Sequence, residues 1–369
     1  MTIAGDPLVC PRCGTAVGAS DMCTQCGLQL AGLPELPRRS EWDARSQAAA
    51  RPETRPVTMA ASIKPLIHPT EPSRLALALV AVGVALVILI VVLAAASNAG
   101  ALGYLFVLAL FFGGFLWFGQ QLLRARLLGR SVRVGADTFP ALQELIDEVR
   151  STLGYQKRID VYVVDKAAAP IAMSSYLGTR IVVIEGGLVA DMLTPEGRAQ
   201  LTFLIGRSIG ALAARHTRLN TVVALLGAMD ALKYVSPFLR PWYRASVYSG
   251  DQIGMACCSN LEAALLATRR LLVGKELADD LPSGNVVPQA CLVQRNLLPR
   301  LIQLLAPEPH VTNRYANLIC FARYHDPVLW EQLRAAMPPS QQAAVDVLWA
   351  RSPYRLRVAP TGGLSAPAA

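Results

Sequence analysis

Four cysteines near the N-terminus carry the clearest chemistry in the chain. They stand as Cys10-Pro-Arg-Cys13-Gly and Cys23-Thr-Gln-Cys26-Gly, two C-x-x-C pairs with nine residues between them. Two such pairs can present four thiolates tetrahedrally to one zinc ion. The glycine after each pair allows the tight backbone turn of a zinc knuckle. A segment of about 25 residues cannot bury a core, so the metal would supply its folding energy. Disulfides and a redox-active dithiol are the other uses of this spacing; a cytosolic setting argues against disulfides. Cys10, Cys13, Cys23 and Cys26 are therefore expected to hold one structural zinc in a ribbon over residues 1–30. Arg12 is the one basic residue inside it and it has no aromatic side chain, which argues against nucleic acid as its partner.

The remaining nucleophiles and metal ligands are scattered. The chain has 4 histidines: His68, His216, His310 and His325. His68 falls in a proline- and arginine-rich stretch and reads as solvated. His216 reads as a capping or packing residue near a helix end, and His310 and His325 flank a helical segment with no ligand partner at metal spacing. Cys257-Cys258, Cys291 and Cys320 read as packing thiols. Ser208 has no base placed to activate it.

The elements that must position these residues are set by composition. The chain has 369 residues, 53% of them hydrophobic, and a positive mean hydropathy of +0.37. The excess is local. Leu75–Ala96 is an uncharged apolar run, and Ala101–Gly119 is a second, rich in phenylalanine. About 20 apolar residues span a bilayer as a helix, so residues 74–123 predict a two-helix transmembrane hairpin, or a membrane-buried hairpin that does not fully cross. Arg74 on one flank and Arg124, Arg126, Arg130 and Arg133 on the other put both ends in the cytoplasm. The reading is an integral membrane protein, in the plasma membrane if bacterial, whose soluble parts are cytoplasmic. The net charge of +9 (35 basic, 26 acidic residues) then suits anionic membrane lipids better than nucleic acid. Residues 31–73 form a disordered proline- and arginine-rich linker and residues 359–369 a disordered tail.

Residues 124–358 remain as one domain. Phe139–Leu153 has helical spacing, ended by Gly154. Arg158–Val164 alternates as a strand, and Arg180–Ile184 gives a second. Glu185-Gly186-Gly187 turns into a short helix. Thr194 and Pro195 suit an N-cap and first helical position, and that helix continues through Leu201–Asn220. The expected fold is mostly α with a small β-sheet.

This order of elements resembles the HtpX-like membrane metallopeptidases, a group that also contains the CAAX prenyl endopeptidases. The matching segments are RIDVYVVD, IVVIEGGLV and TPEGRAQLTFLIG, followed by the position of the active-site helix; the likeness covers roughly residues 75–335. It implies an α+β zincin-like fold. The family's helix carries H-E-x-x-H, two zinc ligands and a general base. At those five positions the chain has Arg207, Ser208, Ile209, Gly210 and Ala211. The family's third ligand, a glutamate, falls at Ile253, within Ser249–Cys257. Glu308-Pro309-His310-Val311-Thr312-Asn313-Arg314 resembles H-P-x-x-x-x-R with its histidine replaced. Arg207, Ser208, Ala211 and Ile253 are thus degenerate active-site positions, and no catalytic residue and no catalytic zinc are expected. Arg207 could instead bind an anion where zinc would sit, either Asp251 or a peptide C-terminus, or it could reach out to solvent.

The resulting reading is a membrane-anchored, non-catalytic pseudopeptidase that scaffolds or regulates protein partners, with a zinc ribbon on a flexible arm. One alternative is an active peptidase using His216, His310 and His325 as unorthodox ligands. Another is a tethered regulator whose ribbon meets nucleic acid or a signalling partner.

Overall fold

A computed structural model describes residues 7–10, 15–17, 22–23, 38–40, 63–96, 101–166, 170–176, 179–217, 236–282, 284–306 and 308–357. The chain divides into two units, Met1–Val57 and Thr58–Ala369. In the first, Val9 pairs antiparallel with Ala16. The Cys10 amide donates to the Thr15 carbonyl (2.9 Å) and the Val17 amide to Leu8 (2.9 Å), so residues 8–10 and 15–17 lie side by side. Leu8 also bridges to Arg38.

In the second unit thirteen helices are described: α1 (Glu71–Ala96), α2 (Ala101–Arg130), α3 (Pro140–Thr152), α4 (Gly186–Met192), α5 (Arg198–Ala213), α6 (Ser236–Cys258), α7 (Leu261–Val273), α8 (Lys275–Asp280), α9 (Val286–Arg295), α10 (Leu297–Leu305), α11 (Val311–His325), α12 (Pro327–Ala335) and α13 (Pro339–Ala350). Four strands, β1 (Val132–Arg133), β2 (Asp160–Val164), β3 (Ile171–Tyr176) and β4 (Thr179–Glu185), form one sheet. Its order is β1-β2-β4-β3. β2 and β4 run parallel, with Tyr162 opposite Val183, while β1 and β3 add antiparallel at the edges.

One core joins the helices to the sheet. The apolar stripe of α3 (Leu142, Leu145, Ile146 and Val149) is buried with Val161, Val182 and Ile184 of the sheet and with Leu201, Leu204 and Ile205 of α5. Gly154 ends α3 with a positive φ of 61°, a conformation only glycine adopts without strain. Helix α5 begins at Arg198, three residues later than the Thr194 cap predicts. The Thr194 hydroxyl still accepts an amide, from Gly197 (3.1 Å). Gly197 must be glycine because a Cβ there would lie 2.6 Å from the Met192 Cα.

The expected transmembrane hairpin is corrected. Among the described residues no helix is long and apolar enough to cross a membrane. The physical reason is that both apolar runs are partly committed to the protein's own fold. At the start of α1, Glu71 is buried and Leu75, Ala78 and Val82 pack on Leu239 and Trp242 of α6. At the end of α2, Gln120 accepts from the Ser174 hydroxyl of β3 (3.0 Å), and Leu127 packs with Tyr162 and Ile181. Arg124 and Arg133, taken from the sequence as markers of a membrane flank, instead converge on Asp160 of β2 at 3.6 and 3.0 Å. Between these anchored ends, Val84, Val87 and Ile88 of α1 and Phe106, Phe111 and Phe115 of α2 are exposed.

Candidate functional site

Helices α5 and α6, which carry Arg207, Ser208, Ala211 and Ile253, pack against each other through small residues. A Cβ on Gly206 would lie 2.8 Å from the Cys257 Cβ, one on Gly210 would lie 2.4 Å from Ile253 Cγ2, and one on Gly254 would lie 2.5 Å from the Phe203 carbonyl oxygen. The two helices therefore touch nearly backbone to backbone. Ile253 is fully buried against Gly210, and Ala211 is buried as well. The Arg207–Ala211 stretch of α5 thus meets the Ile253 region of α6 through the apolar contact of Gly210 with Ile253. The Ser208 hydroxyl is buried and donates to the Leu204 carbonyl one turn back (3.1 Å), the ordinary helix-internal use of a serine.

Asp251 lies at the charged centre of this face. Its side chain is fully buried. Arg207 Nε lies 2.9 Å from its Oδ1. Arg314, from α11, makes a bidentate pair, Nε to Oδ2 at 2.8 Å and a terminal nitrogen to Oδ1 at 2.9 Å. The Tyr243 hydroxyl donates to Glu308 at 3.4 Å. Burial lowers the Arg207 pKa, helped by Arg314 and opposed by Asp251. Burial also works against the Arg314 charge, but Asp251 outweighs it and the net shift is upward. Burial, then Glu308, pushes the Tyr243 phenol up to about 12. Of the fates set out for Arg207, the internal ion pair is the one observed. The Asp251–Arg314 pair was not foreseen; the retained arginine of the P-x-x-x-x-R segment was the available signal.

A second buried polar chain lies on the same helix. Glu71 from α1 accepts from the Ser249 hydroxyl of α6, and its other oxygen lies 2.8 Å from His216 Nε2. Ser249 Oγ also accepts the His68 amide (2.9 Å). His68 is therefore buried rather than solvated. Its Nδ1 accepts from the Thr70 amide (3.3 Å), and its ring meets Tyr248 and Tyr354 at 5.2 and 5.8 Å. Burial first, then Arg74 and Arg357, lowers its pKa to about 3. A folded-state pKa below the unfolded value means that the unfolded chain takes the proton first on acidification. Stability from this residue is thus complete above about pH 6.5 and lost as pH falls toward 3. Urea unfolding at pH 7, 6 and 5 is expected to show the wild type losing about 1.4 kcal/mol per pH unit, at most, relative to His68→Leu below pH 6.5. Parallel pH profiles would contradict this.

The other sequence-level candidates do not converge. Among the described residues no group of three or more His, Cys, Asp or Glu could hold a metal ion. His310 Nε2 faces the Pro299 carbonyl at 3.4 Å, and His325 stacks on Phe321 at 5.0 Å, so they share no site with His216. Burial pushes the Cys257, Cys258 and Cys320 thiols up to about 12, which keeps them protonated and suits packing. Of the four ribbon cysteines, Cys10 and Cys23 are described and both are buried; Cys13 and Cys26 lie outside the described residues.

Comparison with known proteins gives a partial likeness. The chain is 32% identical over 104 residues to a protein named Protease HtpX homolog from Pyrobaculum islandicum, covering 28% of each chain. It is 31% identical over 100 residues to the Protease HtpX homolog of Pyrobaculum calidifontis, covering 27% of each. The match thus spans little more than a quarter of the length of these curated relatives. No protein-family model matches the chain, and no solved structure matches it. The likeness is to proteins named as proteases, over one segment.

Proposed function

We propose that the chain is a non-catalytic, HtpX-like pseudopeptidase that binds protein partners rather than cleaving them. One observation carries the reading: Arg207, which the resemblance sets at the first histidine of the metal-binding motif, is paired with the buried Asp251, itself held by Arg314, beside the Gly210–Ile253 contact. A zinc peptidase needs a metal to activate water and polarise the scissile carbonyl. Two arginines around a carboxylate provide fixed charge but no nucleophile, and Ser208 is spent inside its own helix. The partial likeness to HtpX homologues supports the family reading, and the missing His-Glu-x-x-His supports the loss of activity.

In this proposal zinc belongs to the N-terminal unit, where Cys10, Cys13, Cys23 and Cys26 would hold it as a structural ion. The pairing of residues 8–10 with 15–17 and the burial of Cys10 and Cys23 fit a thiolate knuckle. The purified full chain is expected to carry one zinc ion, lost in Cys10→Ser and in Cys23→Ser, and to leave an unfolded protein substrate intact with or without chelator. Metal analysis and a gel-based cleavage assay check both. A second zinc that survives the cysteine substitutions, or chelator-sensitive cleavage, would overturn the proposal.

A further inference from the structure

Two cavities share a wall on the face built by α9, α10, α11 and the segment after α13. One encloses about 650 Å³ and is lined by Arg74, Arg351 and Arg355 among others. The next encloses about 570 Å³ and is lined by Arg295, Arg300 and Arg351. Gln294, Asn313 and Arg351 line both, so the two form one trough. No carboxylate lines either part. Arg207, Arg269, Arg270, Arg314 and Arg323 of this unit are in ion pairs. Arg295, Arg300, Arg351 and Arg355 have none among the described residues. Four cations without a counter-charge, with Arg74 beside them, make this concavity a site for an anion.

Neutral donors add to that character. Asn317 lines the trough. Its Oδ1 accepts from the Tyr354 hydroxyl (3.0 Å), while its Nδ2 is buried without a partner. An unspent buried donor is costly unless something accepts from it. The trough is also anchored. Arg74 donates to the Pro241 carbonyl of α6 at 3.3 Å, and Arg244, one turn on, donates to the Gln303, Leu304 and Ala306 carbonyls at the end of α10 at 2.9, 3.2 and 3.1 Å.

The rim of the trough decides which anion. Helix α10 has the sequence LLPRLIQLL, and its Leu297, Leu298, Leu301, Ile302 and Leu304 are 45–71% exposed. On another edge Leu356, which itself lines the trough, is 90% exposed. Beyond Arg74, Leu77 and Leu79 of α1 are exposed too. A nucleic acid would call for aromatic platforms along the trough, and its wall offers only Tyr248 besides His68. An acidic peptide has no need of a row of leucines turned outward. A short apolar helix lying beside a row of arginines matches the interface of a lipid monolayer, where hydrocarbon and phosphate are adjacent.

We propose that this face docks on an anionic phospholipid surface, the arginine trough holding headgroup phosphate while the α10 leucines lie among the acyl chains. The exposed apolar residues of α1 and α2 would favour any lipid, so the informative quantity is preference for charge. The full chain is titrated with vesicles of phosphatidylcholine and with vesicles containing phosphatidylglycerol as well, and binding is read by flotation. Each basic residue near an anionic surface contributes about fivefold in affinity. Arg300→Gln with Arg351→Gln is therefore expected to lower affinity for the anionic vesicles roughly 25-fold and to leave neutral vesicles within about twofold. Arg300→Lys with Arg351→Lys should keep most of the preference, and Leu298→Ser with Leu301→Ser should weaken binding to both kinds of vesicle. All the substituted side chains are exposed, and circular dichroism confirms that each variant is folded. An unchanged anionic preference in the glutamine variant would overturn the proposal. So would its abolition by millimolar inorganic phosphate at constant ionic strength, which would mark a free-anion site, or tighter binding to a single-stranded RNA than to the anionic vesicles.

Discussion

Asp251→Asn is expected to cost about 3–5 kcal/mol of folding stability. The substitution changes volume hardly at all, so the effect is one of charge. In the wild type Asp251 accepts three charge-assisted contacts, one from Arg207 and two from Arg314, and its side chain has no exposure. An amide in its place leaves two guanidinium groups facing one another without a counter-charge. It also turns an NH₂ donor toward groups that can only donate. Glu308 offers partial relief, since it also favours both arginine charges. Arg207→Gln should be milder, at about 1–2 kcal/mol, because the Arg207 side chain is 24% exposed and its loss leaves the bidentate Asp251–Arg314 pair intact. The ordering matters more than either value: removing the shared acid must cost more than removing the outer base. Urea unfolding of the three proteins measures it. A loss below about 1 kcal/mol for Asp251→Asn, or a larger loss for Arg207→Gln, would show that the cluster is not the charged centre of this helix interface. The size of that loss is not the net worth of the cluster, since a packed apolar replacement of all three groups could be equally stable.

The charged cluster also shows where reading the sequence stops. Periodicity located the regular elements well. The alternation in Arg158–Val164 and Arg180–Ile184 became β2 and β4, and the spacing of Leu142, Leu145, Ile146 and Val149 became the buried face of α3. β3 was missed because IAMSSY ends in polar residues and pairs along only one edge of the sheet, antiparallel to β4. The apolar runs were read as lipid-facing because an uncharged sequence looks the same whether lipid or protein covers it. The burial of Glu71 and Ala78 and the Arg124–Asp160 pair depend on partners far along the chain. Glu71 accepts a hydrogen bond from Ser249, 178 residues away, and its other oxygen lies 2.8 Å from His216 Nε2, separations at which no local pattern carries a signal. Asp251 could be named as a carboxylate for Arg207, whereas its second arginine needed the placement of α11.

Gly254→Ala is expected to be the most damaging single methyl group that can be added to the α5–α6 interface. In an exposed helix interior the exchange would help by about 1 kcal/mol through reduced backbone entropy. Here the new Cβ would sit 2.5 Å from the Phe203 carbonyl oxygen and 3.0 Å from the Arg207 amide nitrogen. Both are backbone atoms of α5, so no rotamer change relieves the contact and the helices must separate. Separation opens the contact between Gly210 and Ile253 and draws Arg207 away from Asp251, which adds to an overpacking penalty of about 1–3 kcal/mol. A net loss near 3 kcal/mol follows from that range once the coupled contacts are included. Gly210→Ala should be less severe, because its close neighbour is the Ile253 side chain, which can shift. Gly187→Ala in α4 meets nothing within 4 Å and should be neutral or stabilising by up to about 1 kcal/mol. Thermal unfolding of the three variants ranks them. If Gly254→Ala proved as stable as Gly187→Ala, the helices would have slack between them, and the space beside Arg207 that hydrocarbon and backbone now fill could open to a ligand. The proposed loss of metal chemistry depends on that space being closed, so this ranking tests the packing on which the functional reading rests.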